Sequence, residues 1–235
     1  MTLKLITFDL DDTLWPVTPV LQRAEKAGQD WLAEYHPEIA ARHTPHTLLA
    51  LRTETLKANP ALVHNLTALR KTALEKLFTD AGFSAAEARQ QADKAFSVFH
   101  EVRNQVVLFP QVREVLEGLA ETYLLGALTN GNADLKRIGL GDLFAFQHSA
   151  ESIGRRKPAP DMFQAALRSV NAKPAETLHI GDHPHEDVQA ARDHGWSAIW
   201  ANLLARDWPE ELAPPAATLE QWSSLPTLIA KHRED

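Results

Sequence analysis

The 235-residue chain contains no cysteine. That excludes disulfides, thiolate zinc sites and a cysteine nucleophile. It has no run of about 18 or more apolar residues, so no segment reads as a membrane-spanning helix. Nor does it begin with a basic stretch followed by an apolar one, the mark of a secretory leader. Basic residues are in deficit: 24 Lys and Arg against 31 Asp and Glu leave a net charge of −7. An acidic surface disfavours attachment to nucleic acid or anionic membrane. No internal repeat and no low-complexity linker interrupts the chain. With 44% hydrophobic and 23% charged residues, the composition is that of a globular protein with a full core, in one domain or two. These absences lead to the expectation of a soluble cytoplasmic protein with neither nucleic acid nor membrane as partner.

What is present begins with residues 3–15, LKLITFDLDDTLW. The first half is apolar and rich in β-formers, as in a strand buried on both faces. Asp9, Asp11 and Asp12 follow where that strand ends, with Thr13 able to bond locally in the turn. Ligands of open α/β sheets bind at the carboxyl ends of the strands. Asp9 and Asp11 lie two apart and point to one side if the backbone stays extended. Like charges that close require a cation between them or a proton on one, and hard oxygen donors suit magnesium. An acidic turn with no chemistry is the competing reading of these residues alone.

From residue 16 to 105 the pattern is helical. Thr18 is placed to cap a first helix with Pro19 at its first position, ending before Pro37. A second helix is expected over 45–58, stopped by Pro60. A third, over 61–81, carries Leu62, Leu66, Leu69, Ala73 and Leu77 on one stripe and is closed by Gly82. Ser84 and Glu87 have the spacing of a capping box and open a fourth, with Ala88, Ala92, Ala95, Phe99 and Val102 inward. Four amphipathic helices with short connections read as a bundle inserted after the first strand.

Beyond residue 105 strands and helices alternate. Helices are expected at 112–122, 160–170 and 186–194, with strands at 124–128, 144–148, 178–180 and 197–200. The tail, 219–232, reads as a helix with a break near Pro226. This alternation implies a parallel sheet covered on both faces. Three of the strands end in polar groups: Asp9, Asp11 and Asp12; then Thr129 and Asn130; then Asp182. Between the last two lies Lys157, followed by Pro158. Each piece has an ordinary explanation as a turn or a solvated side chain, but their order, each after its strand, points to one site.

The set D-x-D-x-T (Asp9, Asp11, Thr13), Thr129 after a hydrophobic strand, Lys157 before proline, and G-D-x-x-x-x-D (Gly181, Asp182, Asp187) resembles the four motifs of the haloacid dehalogenase superfamily. The motifs run from position 9 to 187, and the helical insert resembles that family's cap. The resemblance implies an α/β fold, a Rossmann-like doubly wound parallel sheet of residues 1–15 and 106–235 with a four-helix cap domain of residues 16–105. It implies a phosphatase for small phosphomonoesters in which Asp9 is the nucleophile that forms an aspartyl-phosphate. Asp11 is then the general acid and base. Thr129, Asn130 through its backbone N–H, and Lys157 bind the phosphate. Mg2+ is held by Asp9, the Asp11 carbonyl and Asp182, and Asp187 stands behind as an orienting residue.

The wording around Trp15, at residues 35–37 (YHP) and over 128–144 is similar to bacterial members acting on flavin mononucleotide and 5-amino-6-(5-phospho-D-ribitylamino)uracil. The expected partner is therefore a small phosphorylated metabolite of riboflavin biosynthesis, and the expected state a monomer or weak homodimer. Two other readings stand beside this one. Haloacid dehalogenases of the same fold need no metal and lack the second Asp of D-x-D. Aspartate phospho-acceptor domains use a similar residue set without the helical insert. His183 and His185 flank Asp182 and, with it, also fit zinc, though loop histidines equally face solvent or substrate. Arg155 and Arg156 either add positive potential near the phosphate or are surface charge. Trp15, next to the expected hinge, either packs in the core or lines the mouth of the site and stacks on a flavin or pyrimidine ring.

Overall fold

The computed structural model describes residues 3–232. The chain divides into two compact units. One runs to Pro16 and resumes at Val107; the other is Val17–Val106.

The unit Val17–Val106 is helical: α1 (Val17–Tyr35), α2 (Pro37–Ala40), α3 (Pro45–Ala58), α4 (Leu66–Asp80) and α5 (Ala85–Arg103). α3 keeps the expected bounds because the Thr44 side chain accepts from the Thr47 N–H and Pro45 opens the helix. Ser84 and Glu87 form the expected reciprocal cap of α5. Two helices depart from expectation. α1 starts at Val17, ahead of Thr18, and Pro19 lies in its first turn, where no intrahelical N–H bond is lost. The helix expected over 61–81 is broken: a 3₁₀ turn, Pro60–His64, comes first, and Asn65 then caps α4 by accepting from the Ala68 N–H at 2.7 Å. Leu66 therefore falls in the first turn and is 40% exposed, while Ala73, Leu77 and Phe78 carry the buried face.

His36, between α1 and α2, is buried edge-on to Phe78 and Phe83, with ring centroids 4.9 and 5.6 Å away. Glu25 on α1 pairs with Arg52 of α3 at 2.6 Å and Arg70 of α4 at 2.8 Å, tying three helices together. Burial acts to raise the Glu25 pKa, but the hydrogen bonds and charges of Arg70 and Arg52 outweigh it and leave it lowered.

The other unit holds a six-stranded sheet: β1 (Leu5–Phe8), β2 (Leu124–Thr129), β3 (Phe146–Ser149), β4 (Thr177–Gly181), β5 (Ser197–Ala201) and β6 (Thr218–Leu219). The order is β3-β2-β1-β4-β5-β6 and every pair is parallel, as in a Rossmann-like doubly wound fold. β1 and β4 are buried at every position; β1 (LITF) matches this with a nearly continuous apolar run, while β4 (TLHIG) buries Thr177 and His179 as well. Phe146 lies in register with Gly126, and a Cβ there would sit 2.3 Å from its ring, so β2 needs glycine at this point.

The flanking helices are α6 (Val112–Ala120), α7 (Leu135–Ile138), α8 (Ala150–Ile153), α9 (Pro160–Val170), α10 (Ala190–Asp193) and α11 (Leu225–His232). The expected helix 186–194 opens instead as a π-helical turn, Pro184–Gln189, that runs into α10. The tail is not one helix from 219: Leu219 belongs to β6, and α11 begins at Leu225, with Pro226 tolerated in its first turn. Trp222, just before it, stacks on Phe8 at 5.7 Å and donates its indole N–H to the Thr13 carbonyl at 3.1 Å. Fully burying a side chain such as Phe8 contributes about 1.5–3 kcal/mol. The C-terminal segment thus fastens the strand and turn that carry Asp9 to Thr13.

Candidate active site

β1 lies between β2 and β4, so the polar groups that follow these three strands converge at the carboxyl ends of the central strands. Asp9 prolongs β1 by one ladder bond, its N–H donating to the Ile180 carbonyl at 2.9 Å. The chain then turns sharply. The Leu14 N–H donates to the Leu10 carbonyl and the Asp12 N–H to the Trp15 carbonyl, both at 2.8 Å. Asp12 takes a left-handed conformation, φ +56°, which aspartate tolerates better than most residues. The Thr13 hydroxyl is buried without a hydrogen-bond partner among the described residues, so the local bond expected of it is not made. A cavity of about 250 Å³ opens here, its walls including Asp9, Asp11, Thr129, Lys157, Asp182 and Arg206.

A single buried chain of hydrogen bonds runs from the sheet to the nucleophile candidate. Thr7 of β1 and His179 of β4 are register partners, and the Thr7 Oγ1 lies 2.8 Å from His179 Nδ1. His179 Nε2 lies 3.1 Å from Asp187 Oδ1. Burial lowers the His179 pKa most strongly, with the charge of Lys157 acting in the same direction. The ring is then neutral, and because a carboxylate only accepts, Nε2 carries the proton and Nδ1 accepts from the Thr7 hydroxyl. Asp187 also receives the His183 N–H at 2.9 Å and the Lys157 Nζ at 2.5 Å. Lys157 Nζ donates further to Asp9 Oδ1 at 2.7 Å and to the Leu128 carbonyl at 2.6 Å. Asp187 packs so closely on Gly181 that a Cβ there would lie 2.4 Å from its carboxyl carbon. The glycine of G-D-x-x-x-x-D is thereby explained.

Lys157 is aimed by its backbone as well. The Asn130 side chain accepts from the Lys157 N–H at 2.8 Å and donates to the Lys157 carbonyl at 3.0 Å and to Glu186 at 2.8 Å. Glu186 is in turn paired with Arg156 at 2.7 Å. The Asn130 side chain is thus spent on Lys157, leaving the phosphate contact expected of Asn130 to its backbone N–H. Thr129, at the tip of β2, accepts the Gly131 N–H on its hydroxyl at 2.9 Å.

The electrostatics follow from burial. Desolvation pushes the Asp9 carboxyl well above its ordinary range; Lys157 pulls it down, and Asp187 and Asp182 push it up. Asp182 is raised to about 7, by burial first and then by Asp187 and Asp12, against Arg206 and Lys157. Burial also acts to raise Asp187, but Lys157 and His179 outweigh it and hold it ionised well below the usual range. Burial acts to lower Lys157, but Asp187 and Asp9 outweigh that and hold its proton more firmly than an ordinary lysine's. One carboxylate oxygen from each of Asp9, Asp182 and Asp187 lies within 4.8 Å of the other two. Two of these three resist ionisation without a further positive charge. An all-oxygen donor set of this kind fits a hard divalent cation, magnesium in particular. No histidine joins this group among the described residues. The His183 Nδ1 instead accepts from the His185 and Glu186 N–H groups, capping the π-helical turn, so the zinc alternative finds no support here.

Asp11 lines the cavity, and its Oδ1 accepts the Trp15 indole N–H at 2.9 Å. Trp15 itself is fully buried, so it offers no face for stacking on a substrate ring; it packs, and it holds Asp11. Four further residues around the site went unnoticed in the sequence: Thr7, His179, Glu186 and Arg206. His179 had a signal, a polar residue inside an otherwise apolar buried strand. Arg206, on the segment after β5, pairs with Asp182 at 2.7 Å and Asp12 at 2.5 Å, contacts that span too much sequence to be read locally.

Comparison with known proteins follows the same lines. A family model described as haloacid dehalogenase-like hydrolase matches residues 3–195. The chain is 35% identical to the Escherichia coli 5-amino-6-(5-phospho-D-ribitylamino)uracil phosphatase YigB, over 97% of this chain and 96% of that one. It is 28% identical to a phosphoserine phosphatase of Thermus thermophilus over 90% of this chain and 94% of that one. Among solved structures, one described as a 2-haloacid dehalogenase from Pseudomonas syringae pv. Tomato superposes with a TM-score of 0.92 at 42% identity, covering 98% of this chain and all of that one. With the motif residues gathered at the carboxyl ends of the central strands and the family model spanning most of its length, this chain belongs to the haloacid dehalogenase-like hydrolase family.

Proposed function

We propose that the protein is a magnesium-dependent phosphatase that cleaves small phosphomonoesters through an aspartyl-phosphate on Asp9. The observation that carries this reading is the gathering of Asp9, Asp182 and Asp187 oxygens within 4.8 Å, with Lys157 bonded to both Asp9 and Asp187. Asp9, Asp182 and the Asp11 carbonyl would hold the cation. Asp187, already accepting from Lys157, His179 and the His183 N–H, orients the site instead of ligating. When bound, the cation offsets the carboxylate charge and draws the phosphate oxygens toward Asp9.

In the first step an Asp9 carboxylate oxygen attacks phosphorus and the ester P–O bond breaks, its electron pair leaving on the ester oxygen. Asp11, steadied by Trp15, gives that oxygen a proton. In the second step Asp11 takes a proton from a water whose oxygen attacks the same phosphorus. The bond to Asp9 breaks, and inorganic phosphate and the original side chains are restored. The Thr129 hydroxyl and the Asn130 N–H donate to the phosphoryl oxygens, and Lys157 balances the charge that builds on them.

The substrate in this reading is flavin mononucleotide or 5-amino-6-(5-phospho-D-ribitylamino)uracil, which places the enzyme in riboflavin biosynthesis; the name of the Escherichia coli relative supports it. The helical unit Val17–Val106 acts as the cap domain that selects the substrate. The protein works in the cytoplasm as a monomer or weak homodimer, without nucleic-acid or membrane partners. Its net charge of −7 disfavours attachment to nucleic acid or anionic membrane.

A second reading, dehalogenation, draws on the 42% identity to a structure described as a 2-haloacid dehalogenase. There Asp9 attacks carbon and no cation is required, which leaves Asp11 and Asp182 without a task. Assays of inorganic phosphate from an aryl phosphate and from flavin mononucleotide, and of halide from 2-chloropropionate, separate the two. We expect phosphate release that stops with chelator and returns with Mg2+. Halide release undiminished by chelator, without phosphate release, would establish the second reading instead.

A further inference from the structure

We propose that Arg206 is a positioning residue of the acidic centre, holding Asp182 in place for the divalent cation. This rests on the metal site of the proposed function and extends it to a residue outside the four motifs. The Arg206 guanidinium forks between two carboxylates from different strands. Nη1 donates to Asp182 Oδ2 at 2.7 Å, and Nη2 donates to Asp12 Oδ2 at 2.5 Å. Both carboxylates are largely buried, with side chains 14% and 11% exposed. An ion pair between fully exposed partners contributes little; the Arg206 side chain is 48% exposed, but both of its acceptors are largely buried and its planar guanidinium reaches the two at once.

The segment that brings Arg206 to this place is itself pinned. The Asn202 side chain accepts the Arg206 N–H at 2.8 Å and donates to the Arg206 carbonyl at 3.0 Å. Trp208 packs edge-on against Trp200 with centroids 5.0 Å apart. The Trp200 indole N–H donates to the Asp182 carbonyl at 2.8 Å. β5 therefore holds Asp182 by its backbone, through Trp200, and the segment after it holds the Asp182 side chain, through Arg206. Further on, Arg192 binds the Ala213 and Pro214 carbonyls at 3.1 and 2.8 Å.

Arg206 takes only Oδ2 of Asp182. Oδ1 accepts no hydrogen bond among the described residues and remains for a cation that needs a monodentate oxygen. Asp12, for which the four motifs provide no role, becomes the second anchor of the fork. Partners that orient a metal-ligating side chain typically change metal affinity about 10- to 100-fold when removed.

The test is isothermal titration of the full-length, substrate-free protein with MgCl2. Arg206→Ala should weaken Mg2+ binding about 10- to 100-fold. Arg206→Lys, which reaches one carboxylate but not both, should recover part of the loss. Asp12→Asn, near-isosteric and compatible with the positive φ, keeps the Arg206 bond to Asp182 and should weaken binding by less than the about 10-fold expected when an orienting partner is lost outright. Unchanged affinity in folded Arg206→Ala would make the fork a surface ion pair. Tighter binding would make Arg206 a competing counter-ion. Either overturns the proposal. Failure of the wild-type protein to bind Mg2+ would instead overturn the proposed function beneath it.

Discussion

The two units of the chain place their charged groups under different constraints. In the α/β unit Asp9, Lys157, His179 and Asp187 are all less than 10% exposed and joined by hydrogen bonds into one network. In the helical unit the trio Glu25, Arg52 and Arg70 also links separate elements, yet its side chains keep 33%, 21% and 18% of their surface in solvent. A charge in the first network has no water to fall back on when its partner is removed; one in the second does. Full burial at the ends of parallel strands, with every member satisfied, also leaves Asp9 held by a cation and raised in pKa. Buried groups perturbed by a specific charge partner mark a functional site, and the partly solvated helix tie is not one of them.

The largest break in that contrast should come from Lys157→Ala. It leaves Asp9 and Asp187 buried without their shared cation, which costs about 3–5 kcal/mol of stability by denaturant titration. Phosphatase activity should fall about 100-fold or more, through the lost charge balance. Glu25→Gln in the helical unit should cost about 1–3 kcal/mol by the same titration, with kcat within twofold of wild type. A large kcat loss in Glu25→Gln would erase the difference between the units.

Acid–base linkage gives a smaller effect with a definite sign. Asp182 titrates near 7 in the folded protein, above its ordinary value of 3.8. Between those values the metal-free folded state keeps a proton that the unfolded chain has lost, so the stability this group contributes at acid pH is lost as pH rises through 7. Asp9 is shifted in the same direction. Mg2+ takes the place of those protons, so the rise in Tm on adding it should be larger at about pH 8 than at about pH 5.5. A rise that is equal at both, or larger in acid, contradicts the assignment of Asp9 and Asp182 as ligands. The smallest effect should be that of Trp15→Phe, which removes the indole N–H from Asp11 but keeps an aromatic core. It should lower kcat about threefold to tenfold by loosening the general acid, and equally for flavin mononucleotide and a small sugar phosphate. A selective rise in KM for flavin mononucleotide would restore Trp15 as a ring-stacking residue.

The same contrast explains how far residues could be read before their neighbours were known. Asp9, Thr129 and Asp182 stood out because polar groups after apolar strands break a simple pattern, and Lys157 because it precedes a proline between the second and third of them. α3 and α9 could be bounded because Pro45 and Pro160 open them. The break at Asn65 was hidden because Leu62, Leu66 and Leu69 continue a helical period across it, and only the Asn65 bond to the Ala68 N–H decides otherwise. Likewise, Leu219 lies close to a helical stretch in sequence, but pairing with Ala201 makes it a strand residue. Thr7 and Arg206, and the partners of His179, were illegible for a different reason. Their partners are neighbours only once β4 lies beside β1, and strand order is a property of the whole chain.

The central claim is that Asp9 carries the phosphoryl group, and it can be tested by trapping. Asp11→Asn, which forms the intermediate but cannot activate water for its hydrolysis, is mixed with phosphomonoester and Mg2+, quenched and reduced with borohydride, which converts an acyl phosphate to an alcohol. Peptide mass analysis should find homoserine at position 9, dependent on both substrate and Mg2+, and absent from the Asp9→Asn, Asp11→Asn double variant. Modification at another carboxylate, or none at position 9 from a variant that still releases its leaving group in a burst, would contradict the account.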